Sequence, residues 1–192
     1  MRKIPTLFVK DFTDKRPVLT DQVNPSCQWV MDGEGEATRK YDGTCCMWNE
    51  VTWWARREVK PGKIAPAGFL LVDRDVITGR MFGWEPASQS SFSAYLVEAL
   101  TGLTEPYPVG TYELIGPKVN GNPEHVTVHE LICHGTAESV AVPTLTFDGI
   151  RRTLAALAQN GVEGIVWHHP DGRMAKIKHR DFGLVSSEAP RS

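Results

Sequence analysis

The chain is poor in cysteine, and the four it has (Cys27, Cys45, Cys46 and Cys133) form no CxxC pair. Neither a zinc ribbon nor a disulfide framework is indicated, and buried free thiols are the expectation. Adjacent strand residues point to opposite faces, so Cys45 and Cys46 cannot share a metal. No apolar run approaches the roughly 20 residues that a membrane-spanning helix needs. The opening "MRKIPTLFVKDF" is too short and interrupted for a signal peptide, so an intracellular, cytoplasmic protein without membrane attachment is expected. Basic excess is missing as well. A formal net charge of −2 excludes a whole-surface electrostatic footprint for nucleic acid, so any such contact must be local. Internal repeats and low-complexity segments are absent.

What is present is an ordinary globular composition, 41% hydrophobic and 23% charged over 192 residues, which suits one well-cored domain. We expect that domain over residues 1–182 and a disordered tail over 183–192. The first ~35 residues mix Pro, Asp and Lys with short apolar pieces, and "MDGEGEAT" (31–38) is a turn-rich approach. "TCCMW" and "VTWWARREV" read as two strands around an Asn49-Glu50 turn. "VKPGKIAPAGF" and "DRDVITGRMFGWEPASQ" read as two long irregular segments. Helical spacing of Phe92, Tyr95, Leu96 and Leu100 marks a short helix over 91–101, and that of Phe147, Ile150, Leu154 and Leu157 a second one ending near Asn160-Gly161. "GTYELIG" (110–116), "HVTVHELI" (125–132), "EGIVWHH" and "RMAKIKH" are strands by composition, the last two joined by "PDG". The fold class is α+β.

The chemistry-bearing residues are Lys40, Asp42 and Gly43 in "KYDG", Glu113, Glu163, and Lys176 with Lys178. Singly, each has a plain structural reading. Lys40 fits a solvated turn, Asp42-Gly43 a common turn dipeptide, and Lys176 and Lys178 share one strand face that water could cover.

Their order along the chain is more specific. K-x-D-G at 40–43, Y-E-L-I-G at 112–116, E-G-I-V at 163–166 and K-I-K at 176–178 resemble nucleotidyltransferase motifs I, III, IV and V of the covalent nucleotidyltransferase superfamily. That group comprises ATP-dependent DNA ligases, RNA ligases and mRNA capping guanylyltransferases. The resemblance spans roughly residues 34–182. It implies a nucleotidyltransferase domain, an ATP-grasp-like ligase adenylation fold with antiparallel sheets and flanking helices. It implies Lys40 as the nucleophile, Asp42, Gly43, Arg57, Glu113, His129, Lys176 and Lys178 as nucleotide-binding residues, and Glu163 as the ligand of Mg2+ or Mn2+, with ATP as cosubstrate. Arg56 is the other candidate for the arginine of motif Ia. His129 lies in the segment where the family stacks a side chain on the base, and a core or hydrogen-bonded histidine fits that position equally well; Trp167 reads as core.

Physical chemistry agrees with that assignment. A lysine with an unperturbed pKa near 10.4 is neutral in only about one molecule in 2,500 at pH 7, a deficit of ~4.6 kcal/mol. Neighbouring positive charge and burial reduce it, and Lys176, Lys178 and an inward-pointing Arg39 would supply such charge.

Thr44-Cys45 after the glycine is similar to the RNA-ligase branch, since DNA ligases usually carry arginine further along that motif. Only about ten residues follow Phe182, too few for an OB-fold with motif VI. The resemblance therefore implies a compact, single-domain ATP-dependent RNA ligase that joins 5′-phosphate and 3′-hydroxyl RNA ends through lysyl-AMP, with no obligate protein partner. A capping-like guanylyltransferase and a degenerate nucleotide- or RNA-binding module are the alternatives.

Overall fold

A computed structural model of the chain describes residues 2–13, 17–101 and 107–185. It is α+β with antiparallel sheets and few helices. The chain forms two compact units, one of residues 1–3 and 42–137 and the other of residues 4–41 and 138–192. Of the expected tail, residues 186–192 lie outside the described residues.

The unit containing residues 4–41 holds a two-stranded ribbon, β1 (Phe8–Asp11) with β2 (Val18–Val23), and a three-stranded sheet. In that sheet β10 (Gly164–His168) lies between β3 (Glu36–Lys40) and β11 (Met174–Lys178). One sheet face is apolar: Ile165, Trp167, Ala175 and Ile177 are buried with Ile150 and Leu154 of helix α3 (Phe147–Gln159). Trp167 is core, as expected, at 2% exposure. Helix α3 starts where the Thr146 side chain accepts the Gly149 N–H, and it stops at Asn160, followed by Gly161 at φ 74°. Both ends therefore follow ordinary capping chemistry.

One element here departs from the sequence reading. "EATRK" has weak strand propensity and its first three residues fall in the segment read as a turn-rich approach, yet it forms β3 because β10 gives it a continuous ladder, Glu36 opposite His168 through Lys40 opposite Gly164. Ladder partners override local propensity. Near the N-terminus, Leu7 donates to the Lys176 carbonyl at 2.8 Å and Lys176 donates to that of Pro5 at 3.0 Å, so residues 5–7 cover the outer edge of β11.

The other unit is built on a six-stranded antiparallel sheet. Its strands are β4 (Thr44–Trp48), β5 (Trp53–Val59), β6 (Leu70–Arg74), β7 (Met81–Pro86), β8 (Gly110–Ile115) and β9 (Glu130–Cys133), in spatial order β6-β7-β5-β4-β8-β9. Helix α2 (Ser93–Leu100) buries Leu96 and Ala99 with Cys46, Ala55 and Leu114. A further short helix, α1 (Gln28–Met31), lies in the unit that contains residues 4–41.

The 73–89 segment is not irregular throughout: Met81–Pro86 is an interior strand. Gly83 and Pro86 disguise it, yet the glycine is required, because a Cβ there would stand 2.2 Å from the Leu70 carbonyl oxygen. The expected strand over 125–132 shrinks to Glu130–Cys133. Asn122 and His125 have positive φ, and the Asn122 side chain bonds both the N–H and the carbonyl of Val126. Those bonds make a turn of the segment instead. All four cysteines are free, with Cys27 and Cys46 buried and Cys45 and Cys133 half-buried. No helix among the described residues is long and apolar enough to cross a membrane.

Gly164 allows β10 to sit tightly between its neighbours. A Cβ there would be 2.2 Å from the Ile177 carbonyl oxygen and 3.0 Å from Lys178 Cα, both backbone. Gly164→Ala should cost about 1–3 kcal/mol, read as a lowered urea midpoint at unchanged m-value.

Candidate active site

Strand register brings the predicted lysines together. Lys40, Gly164 and Lys178 occupy one row across β3, β10 and β11, and opposed residues share a face. The glycine leaves the space between the two lysines open. Lys176 lies two residues before Lys178 on the same face, opposite Val166. This is the face away from the Ile165–Ile177 core.

Glu163, immediately before β10, fills that space with a carboxylate only 5% exposed. Its Oε2 is 2.5 Å from Lys40 Nζ, its Oε1 accepts from Lys178 Nζ, and Arg180 Nη2 stands 3.5 Å from Oε1. Burial pushes the Glu163 carboxyl up, but Lys40 and Lys178 outweigh it and hold the group below its usual range. Lys176 has no ion pair or hydrogen bond from its ammonium among the described residues, and burial, then Lys178 and Lys40, lower its pKa to about 8. Lys178 is lowered by burial and by Lys40. Asp181 belongs to a neighbouring pair: its Oδ1 is 2.6 Å from Lys10 Nζ and its Oδ2 accepts the Lys178 N–H. Three cations thus contact one carboxylate and Lys176 lies on the same sheet face, leaving positive charge for an anion.

Arg39 does not join them. It alternates onto the opposite face from Lys40, with Nη1 3.5 Å from Glu138 and its guanidinium over the Tyr41 ring.

The Asp42-Gly43 turn lies in the other unit, where three side chains hold it. Asp42 N–H donates to Glu124 Oε1 (2.8 Å) and Gly43 N–H to Glu113 Oε1 (3.1 Å). Asn120 Nδ2 donates to Gly43 O (2.7 Å) and Asp42 Oδ1 (3.2 Å). His134 Nε2 is 3.1 Å from Glu113 Oε2. A Cβ on Gly43 would meet the Leu114 carbonyl oxygen at 2.2 Å, so close backbone approach requires glycine there.

Register then lines up Trp84, Arg56, Cys45, Glu113 and Ile132 on one face of the six-stranded sheet. Arg57 is on the opposite face, with Nε 3.7 Å from the buried Glu85. The structure thus groups Arg56, not Arg57, with Glu113. His129 is held apart from that row: its ring stacks on Tyr95 at 4.7 Å and 9°, and Nδ1 is 2.6 Å from Glu98. Burial raises the Cys45 thiol well above its ordinary value, and burial with Glu113 pushes Cys46 to about 12, so both stay protonated and inert.

Sequence reasoning left Arg56 and Arg57 open for the arginine of motif Ia, and it did not single out Asn120, Glu124, His134 or Ile132. For Ile132 a signal existed, since it lies in the segment singled out for base stacking and alternates with Leu131. The others contact partners far away in sequence. Among the described residues no group of three or more His, Cys, Asp or Glu could hold a metal. Glu163 is a single carboxylate, which suits only an ion completed by phosphate oxygens and water.

The cluster has a pH signature. At pH 7 Lys176 is protonated whether folded or unfolded, and folding opposes that charge. Above pH 8 the folded group releases its proton while the unfolded one, near 10.4, keeps it, so stability rises with pH through that window. Lys176→Met should therefore be at least as stable as the parent at pH 7, with its advantage shrinking between pH 8 and 10 in thermal unfolding.

A family model described as RNA ligase 1 matches residues 90–190, just over half of the chain. RNA ligase 1 of Danio rerio is 25% identical over 263 aligned residues, taking in 95% of this chain and 81% of the fish protein. RNA ligase 1 of Rattus norvegicus and of Pongo abelii align over 79 residues at 34% and 33% identity, covering 38% of this chain but 24% of each relative. The family match takes in Glu113, Glu163, Lys176 and Lys178, and the fish alignment covers nearly all of the chain. On the strength of that match, the chain belongs to the RNA ligase 1 family.

Proposed function

We propose that the protein is an ATP-dependent RNA ligase of the covalent nucleotidyltransferase type, joining 5′-phosphate to 3′-hydroxyl RNA ends through an AMP carried on Lys40. The observation that carries this reading is the contact of Lys40, Lys178 and Arg180 with Glu163, with Lys176 beside Lys178 on the same sheet face. Such a group of cations is suited to a triphosphate and places a nucleophilic amine within it. Family membership supports RNA as the substrate.

In the first step neutral Lys40 Nζ attacks the α-phosphorus, the N–P bond forms, the P–O bond to pyrophosphate breaks, and the amine gives up a proton to solvent. Lys176 and Lys178 act twice. Their charge favours the neutral amine, and it offsets the negative charge building on the α-phosphate. Glu163 opposes deprotonation through its ion pair with Lys40, and it is the residue suited to hold Mg2+ or Mn2+, an ion that supplies further positive charge to the phosphates. Within the other unit, by the family pattern, Glu113 is suited to a ribose hydroxyl and Ile132 to a base, with Arg56 on the same sheet face. Two further steps pass AMP to an RNA 5′-phosphate and seal it with a 3′-hydroxyl.

Intact-mass measurement after incubation with ATP and magnesium should show one AMP per chain, labile in acid and stable in base. Lys40→Arg should abolish it, since guanidinium stays protonated and is a poor nucleophile. Lys176→Ala and Lys178→Ala should each slow it about 10²–10³-fold. An undiminished adduct in Lys40→Arg overturns the assignment, and a GMP adduct from GTP in preference to ATP makes the protein a guanylyltransferase.

The adenylylated protein alone should then seal 5′-phosphorylated RNA, with activity falling steeply as salt rises. An RNA 3′-end should be the better acceptor, because a 2′-hydroxyl can be read as donor and acceptor. Equal or better sealing of all-DNA ends overturns the RNA assignment.

A further inference from the structure

Thr111 and Glu113 are two apart on β8 and so project from one face. His134 follows β9 directly, and the Tyr112–Cys133 pairing brings its ring alongside both. His134 Nδ1 is 2.9 Å from Thr111 Oγ1, and Nε2 is 3.1 Å from Glu113 Oε2. Glu113 Oε1 accepts the Gly43 N–H at 3.1 Å. All of these groups lie within one unit.

The tautomer follows from the partners. An ionised carboxylate only accepts, so Nε2 carries the hydrogen, and in the neutral ring Nδ1 accepts the Thr111 hydroxyl proton. Glu113 is thereby held at both oxygens from different directions, with its side chain 12% exposed and that of His134 22%. Each oxygen keeps a further lone pair for an incoming donor.

We propose that His134 is a positioning residue for nucleotide recognition. It turns the Glu113 carboxylate to the orientation that accepts the ribose 2′-hydroxyl, while Thr111 fixes the imidazole. The inference rests on the role given to Glu113 above. Removing a hydrogen bond that orients a charged acceptor should weaken discrimination at that acceptor, whereas a general loss of structure weakens every nucleotide alike.

The test is calorimetric binding of ATP and of 2′-deoxy-ATP without divalent cation, on the parent protein, His134→Ala, His134→Gln and Thr111→Val. The parent should prefer ATP by about 10-fold or more, as a hydrogen bond to a charged group predicts. His134→Ala should lose most of that preference. His134→Gln, whose amide donor reaches the place of Nε2, should restore it, and Thr111→Val should lower it in part. A preference unchanged in His134→Ala, or absent from the parent, overturns the proposal. Lysyl-AMP formation, read separately by mass on the same parent protein, reports on the catalytic reading: an adduct with unchanged preference sinks the role of His134 alone. A changed preference without an adduct sinks the catalytic reading alone.

Discussion

The candidate active site depends on a buried carboxylate surrounded by cations. Without Glu163, the ammonium groups of Lys40 and Lys178 and the Arg180 guanidinium would face one another across Gly164 with nothing between them. Like charges at such distances repel strongly in a partly dry setting. One carboxylate is enough to hold the group and too little to neutralise it. That imbalance leaves net positive charge at the site, and Lys176, which Glu163 does not bond, has its pKa lowered by burial first and then by Lys178 and Lys40.

The fold delivers Glu163 through a short, well-defined link. Helix α3 ends at Asn160 and Gly161, Val162 N–H closes onto the Leu157 carbonyl, and Glu163 follows at once before β10. On the other side, the His179 N–H bonds the Glu163 carbonyl. Lys178 N–H is held by Asp181, itself paired with Lys10. The backbone around the carboxylate is tied at both ends, so the side chain has little freedom to swing away.

The Asp42-Gly43 turn obeys the same logic with different chemistry. Its two N–H groups go to carboxylates, and its Asp42 Oδ1 and Gly43 carbonyl go to one asparagine amide. Asn120, at φ 49°, presents that amide from a loop in which Gly121 and Asn122 also have positive φ. A turn dipeptide common in proteins becomes a specific one when three distant side chains satisfy it.

Several features were determined by the sequence alone. Periodic apolar residues placed α2 and α3, alternating β-branched and aromatic runs placed β4, β5, β8, β10 and β11, and motif order drew Lys40, Glu113, Glu163, Lys176 and Lys178 into one hypothesis. These signals are local or depend on order along the chain, and both survive in a linear string. Tertiary structure decided the rest. β3 and β7 exist because neighbouring strands supply ladders to "EATRK" and "MFGWEP", whose own propensities are weak or mixed. That Arg56 and not Arg57 shares a face with Glu113 follows from register, which sends adjacent residues to opposite faces. His129 went to Tyr95 and Glu98, and His134 to Thr111 and Glu113, through contacts made by chain segments more than 20 residues apart. A sequence shows which side chains are available, but pairing across a sheet or onto a helix is a non-local choice, made only when the segments that compete for each partner have all been placed.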